Sequence, residues 1–257
     1  MEGYVHTLME KNVIDGDVTS VIRPTERKRN RVTRKGKPFY VPLPRRILCV
    51  KRKGYFTAGP TGSRVWGITD QIHKRLCPIS CCESDTLANK LGNRVDREIK
   101  KFARDLIGYE YLENIESKKI IRLLGEKNIT LVTSSILVSN YKFSSRGLDR
   151  YSGTEIDVIG YDHLIGKYVV IEIKITSQKL VDLFKADKDS TRDVLYSFNR
   201  SYIGMCKAQL ACATLMFRNT FIEDSYPLLV ICERNGTCVS LTFDIDASSC
   251  HGLIYGY

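Results

Sequence analysis

No apolar run in the 257 residues approaches the roughly 20 needed to cross a bilayer, so no membrane span is expected. The first residues, Met-Glu-Gly-Tyr-Val-His-Thr, lack the basic and apolar regions of a secretory signal. No internal repeat and no low-complexity tract is present. Regularly spaced cysteine pairs are also missing. The nine cysteines are odd in number and irregular in spacing, which argues against a disulfide scaffold and for a reduced, intracellular setting. Disorder of the whole chain is excluded by an ordinary apolar content of 43%.

The charge that is present is concentrated. Residues 23–53 hold 13 Lys or Arg against one acid, Glu26, a local charge of +12 within a total of +11. The rest of the chain is therefore close to neutral, at −1. Arg27, Lys28, Arg29, Arg31, Arg34, Lys35, Lys37, Arg45, Arg46, Lys51, Arg52 and Lys53 are the candidate polyanion contacts. The same run reads as a nuclear localisation signal, or as a solvated arm with no partner. Residues 1–45, polar and punctuated by Pro24, Pro38, Pro42 and Pro44, are expected to form a flexible basic arm. Residues 46–257 are expected to form one domain.

Periodicity predicts a helix over 84–108, with Ser84 or Asp85 as its cap. Residues 111–127 suit a weaker helix or a strand and turn. A strand is expected over 129–139, a hairpin over 155–161 and 168–176, and a long helix over 191–217. A second hairpin is expected over 227–232 and 237–243, around Asn235-Gly236. This order implies an α/β fold, a mixed central sheet flanked by helices.

The first hairpin carries the chemistry. In Tyr-Val-Val-Ile-Glu-Ile-Lys-Ile, Val169, Ile171, Ile173 and Ile175 fall on one face, and Tyr168, Val170, Glu172 and Lys174 on the other. A turn over 162–167 sets Tyr161 against Tyr168 and, in the same register, Asp157 against Glu172. Opposed side chains have Cβ atoms roughly 5 Å apart. Two carboxylates so placed repel unless a cation stands between them, and a divalent metal with Lys174 would supply that charge. A bland alternative is an exposed strand face with an ordinary Glu–Lys pair.

Asp157 followed by Glu172-Ile-Lys174 resembles the core of the PD-(D/E)XK nuclease superfamily. Gly92-Asn-Arg-Val-Asp96 resembles the first motif of its RecB/lambda-exonuclease branch, and Gln209, among small and apolar residues on a long helix, resembles the fourth. The aromatic that often follows that Gln is absent, since position 213 is Ala. The resemblance covers about residues 88–244.

It implies a restriction-endonuclease-like core and a catalytic set of Asp157, Glu172, Lys174 and Gln209. It further implies Mg²⁺ or Mn²⁺ held by Asp96, Asp157, Glu172 and the backbone carbonyl of Ile173. Helix phase puts Asp96 on the edge of the inward stripe Val95, Ile99, Phe102, Ala103, Leu106, with Glu98 in reserve on its other side. The expected activity is metal-dependent hydrolysis of DNA, first as an exonuclease on DNA ends in replication, recombination or repair. The expected place is the nucleus, a host nucleus for a viral protein. Rival readings are a structure- or sequence-specific endonuclease, and a non-catalytic nucleic-acid-binding protein. An iron–sulfur cluster on Cys77, Cys81, Cys82, Cys232, Cys238 and Cys250 is not expected, because the compact C-terminal spacing is absent. Zinc on His73, Cys77 and Cys81 is not expected either, because Pro78 interrupts the helix.

Overall fold

A computed structural model of the chain describes residues 6–14, 17–25, 49–52, 55–58, 63–76, 86–139, 151–193, 197–234 and 236–255. The chain begins with β1 (His6–Ile14) and β2 (Asp17–Thr25), paired antiparallel with Ile14 against Asp17. The dipeptide between them is Asp15-Gly16, which suits a two-residue hairpin connection. From charge and prolines the sequence predicted a flexible basic arm over residues 1–45. Most of the basic cluster, Arg27 to Arg46 and also Lys53, lies outside the described residues. Lys51 and Arg52 end β3 (Cys49–Arg52), which continues through β4 (Tyr55–Ala58) and β5 (Ser63–Gly67).

Helix α1 (Ile68–Leu76) follows, then α2 (Thr86–Ala103) and α3 (Ile115–Glu126). The central sheet comprises β6 (Ile129–Ser139), β7 (Tyr151–Asp162), β8 (Lys167–Thr176), β9 (Ser225–Glu233) and β10 (Cys238–Thr242). Between β8 and β9 run α4 (Leu180–Asp189) and α5 (Tyr202–Phe221), and α6 (Ala247–Tyr255) closes the chain. The sheet is mixed. β7 pairs antiparallel with β6 and β8, and β8 pairs parallel with β9.

Helices cover both faces, which makes three layers. On one side Val95, Ile99 and Ala103 of α2 and Ile120 and Leu124 of α3 pack on Leu131, Val158, Val169, Ile171 and Val230. On the other, α1, α4, α5 and α6 cover Ile159, Val170, Leu229 and Ile231. Helix α5 is apolar nearly all round, as a helix enclosed by neighbours should be. Its start is fixed by Ser201, whose hydroxyl accepts from the Gly204 amide. A Cβ at Gly204 would stand 1.9 Å from the Asn199 carbonyl oxygen, so only glycine fits.

The long helix predicted over 191–217 begins later, at Tyr202. Residues just before it form a turn in which Arg192 bridges Asn199, Arg200 pairs with the buried Asp193 at 2.8 Å, and Ser197 has φ +53°. Polar side chains bonded to nearby backbone compete here with the helix. Helix α2 also stops earlier than predicted. Asp105 turns left-handed at φ +57°, and the Leu106 amide donates to the Lys101 carbonyl. Leu106, placed by periodicity in the inward stripe, is therefore 63% exposed. Its predicted cap, Ser84 or Asp85, lies outside the described residues. Among the described residues no helix is long and apolar enough to cross a membrane.

Candidate active site

The β7–β8 register sets Tyr161 against Tyr168 and continues to Val158 against Ile171. There the ladder ends, one residue short of Asp157 and Glu172. β5 takes the same edge of β7 only at Tyr151–Gly153. Among the described residues, no strand pairs with Thr154–Asp157 on that edge, and the sheet parts where the two carboxylates stand. β6 is irregular at the same level: Ser135, which register sets beside Asp157, has φ +57°. A non-glycine residue there is strained by about 1–2 kcal/mol.

Glu172 is 5% exposed. Its carboxylate accepts from Lys174 at 2.6 Å and from the Gln209 amide at 3.3 Å. Burial pushes its pKa up to about 7, with Asp157 adding repulsion and Lys174 opposing the rise. Burial acts against the charge on Lys174, but the Glu172 carboxylate outweighs it and holds the ammonium firmly protonated. Gln209 reaches the site from α5. On the same helix Tyr202 and Cys206, spaced i and i+4, lie beside Lys174, and the burial of Tyr202 raises its phenol pKa. Ile173, between Glu172 and Lys174, turns its side chain to the opposite face, against the α2 cluster.

Asp96 joins the site through a residue that the sequence reading passed over. Lys100, 13% exposed, binds Asp96 at 3.0 Å, Asp157 at 3.0 Å and Glu155 at 3.6 Å. Burial opposes its charge, and the carboxylates of Asp157, Asp96 and Glu155 together overcome that, leaving it protonated. Burial, then repulsion from Asp157, raises the pKa of Asp96. The signals for both missed residues were in the sequence. Lys100 is one helical turn after Asp96, and Glu155 lies two residues before Asp157, on the same strand face. Glu98 points elsewhere: its carboxylate accepts from the amides of Glu113 at 3.2 Å and Asn114 at 3.3 Å, at the start of α3.

The donors that meet here, Asp96, Glu155, Asp157 and Glu172, are hard oxygens of the kind that suits Mg²⁺ or Mn²⁺. With all groups ionised, four carboxylates face two ammonium groups, a net charge of −2 that a divalent cation would neutralise. The donor chemistry thus fits the metal. The present arrangement gives those oxygens to Lys100 and Lys174, and among the described residues no group of three or more acidic, His or Cys side chains is set to hold a metal ion.

Cys232 and Cys238 are opposed across β9 and β10, and the structure joins them as a disulfide. The expectation of reduced thiols throughout thus meets an exception. Cys206, Cys212 and Cys250 are buried and take no part in a disulfide, and the Cys212 thiol lies 3.9 Å from the Cys250 carbonyl oxygen. Cys77, Cys81 and Cys82 lie outside the described residues, and His73 is on α1.

No protein-family model matches the chain, and no curated protein does. Among solved structures the chain is similar to SSO0001, at 14% identity and a TM-score of 0.35, over 75% of this chain and 73% of that one. A likeness at that level assigns neither fold nor activity.

Proposed function

We propose that this protein is a metal-dependent DNA nuclease of the PD-(D/E)XK type, with a restriction-endonuclease-like core and a preference for DNA ends. One observation carries the reading. Asp157, Glu172, Lys174 and Gln209, picked out from the sequence, stand on β7, β8 and α5 around a parting of the sheet, with Asp96 brought to the same place by α2.

Asp96, Asp157, Glu172 and the Ile173 carbonyl would hold Mg²⁺ or Mn²⁺. Such an ion would supply Lewis acidity, activating a water at neutral pH and offsetting charge on the phosphoryl oxygens. Lys174 presents a point charge toward the scissile phosphate and orients Glu172. Gln209 donates to the same carboxylate oxygen that Lys174 contacts, Oε1 of Glu172, so the residues hold their positions before substrate arrives. The basic cluster of residues 23–53 supplies affinity for the DNA backbone and the signal for nuclear import.

The test is digestion of end-labelled linear DNA and of closed circular DNA, each with Mg²⁺ and with EDTA. The expected result is loss of the linear substrate with Mg²⁺, sparing of the circle, and no hydrolysis in EDTA. Cutting of the circle would make the enzyme an endonuclease. Failure to hydrolyse either substrate would leave a nucleic-acid-binding protein.

A further inference from the structure

Lys100 has no part in the hydrolysis outlined above, yet its ammonium holds two of the carboxylates that the reaction needs. It lies 3.0 Å from Asp96 and 3.0 Å from Asp157. A divalent ion bound by the same oxygens would stand within a few ångströms of that ammonium, and cations that close in a poorly solvated site repel strongly. One of them has to give way.

We propose that Lys100 and the divalent metal compete for Asp96 and Asp157, so that Lys100 must withdraw before the metal binds and thereby sets the metal affinity of the site. The inference rests on the nuclease reading for the identity of the competitor. The local construction favours movement of the side chain alone. The Lys100 carbonyl accepts from the Ser134 hydroxyl at 3.1 Å and from Arg104 Nε at 3.2 Å, which fixes the backbone to β6 and to the helix end. Four methylenes separate that anchored backbone from the ammonium. Glu155, the more distant partner at 3.6 Å, is one the lysine can keep while it releases the other two. Before the metal arrives, Lys100 offsets the mutual repulsion of Asp96, Glu155 and Asp157.

The experiment is calorimetric titration of the full chain with Mn²⁺, without DNA, for the wild type and Lys100→Met. Methionine keeps the length of the stem and removes the charge. Lys100→Met should bind Mn²⁺ on the order of tenfold more tightly or better. Mn²⁺ should also raise its melting temperature further than it raises that of the wild type. Lys100→Arg keeps the charge and should bind no more tightly than the wild type. Circular dichroism confirms folding, and Lys100→Gln takes the place of the Met variant if that one does not fold. Equal or weaker Mn²⁺ binding by the folded neutral variant overturns the proposal, as does tighter binding by Lys100→Arg. If the wild type binds no Mn²⁺ while the neutral variant does, competition stands and the nuclease reading falls, because Lys100 has then replaced the metal. If neither binds Mn²⁺, both fall.

Discussion

Glu172 concentrates the cost of building this site. Its folded pKa, raised from an ordinary 4.5 to about 7, means that folding favours the neutral acid. Its stabilising contribution is therefore complete below about pH 4.5 and is lost as pH rises through about 7. Glu172→Gln mimics the neutral form. It should flatten this limb and be more stable than the wild type at pH 8, by up to about 3 kcal/mol, with no difference at pH 4. Urea melts of both proteins across that range check the sign. Lys174→Met attacks the same pair from the other side and leaves a buried carboxylate without its cation. It should destabilise at pH 8 by about 3–5 kcal/mol, and less at pH 5. Equal losses in the two variants would mean that the pair is symmetric and that burial of Glu172 is not the governing effect. In turnover, Lys174→Ala should lower kcat far more than it weakens DNA binding. The strand face of these two residues was legible because alternation is a local property of β8. The pairing of Lys100 with Asp96 was legible as an i, i+4 spacing, but its reach to Asp157 and Glu155 was not, since only the fold brings α2 onto β7.

The β7–β8 hairpin was the most legible element: its register follows from a turn over 162–167 and the strict alternation of Tyr168–Ile175. The parting of the strands at Asp157 was not, because it depends on β8 leaving β7 to follow β9, a pairing between residues more than 50 positions apart. Helix α2 was legible in phase and misread in length. Val95, Ile99 and Ala103 are buried as the periodicity required, while the left-handed turn at Asp105 is invisible to periodicity. Helix phase also separates Asp96 from Glu98, and the two substitutions should now fail differently. Asp96→Ala should abolish most hydrolysis with little loss of stability. Glu98→Ala should keep turnover and lose about 1–2 kcal/mol of stability, since the Glu113 and Asn114 amides lose their acceptor. Activity assays beside thermal melts distinguish them, and the reverse ranking would contradict the placement of Asp96 in the site. Helices α4 and α6, of 10 and 9 residues, escaped the sequence reading because they are too short for a helical period to stand out.

At the scale of the molecule, charge and chemistry are separated along the chain. The basic cluster holds the whole positive excess, and the carboxylates gather in the sheet at its far side in sequence. Neutralised phosphates release counterions, so binding should weaken steeply with salt. Removing residues 1–45 takes away ten Lys and Arg against five acids, a net +5 of the total +11, and should make the slope of log K against log salt shallower, while cleavage at low salt survives. An unchanged slope would assign the cluster to import or to a protein partner. The central claim, that a metal held by Asp157 and Glu172 hydrolyses DNA, has a more direct test. Single-turnover hydrolysis of linear duplex DNA with Mg²⁺ is measured for the wild type, Asp157→Asn and Glu172→Gln at equal concentrations of folded protein. The account predicts a Mg²⁺-dependent rate in the wild type and a loss of at least about a hundredfold in each variant. Wild-type rates in either variant, or no hydrolysis by the wild type, would contradict it.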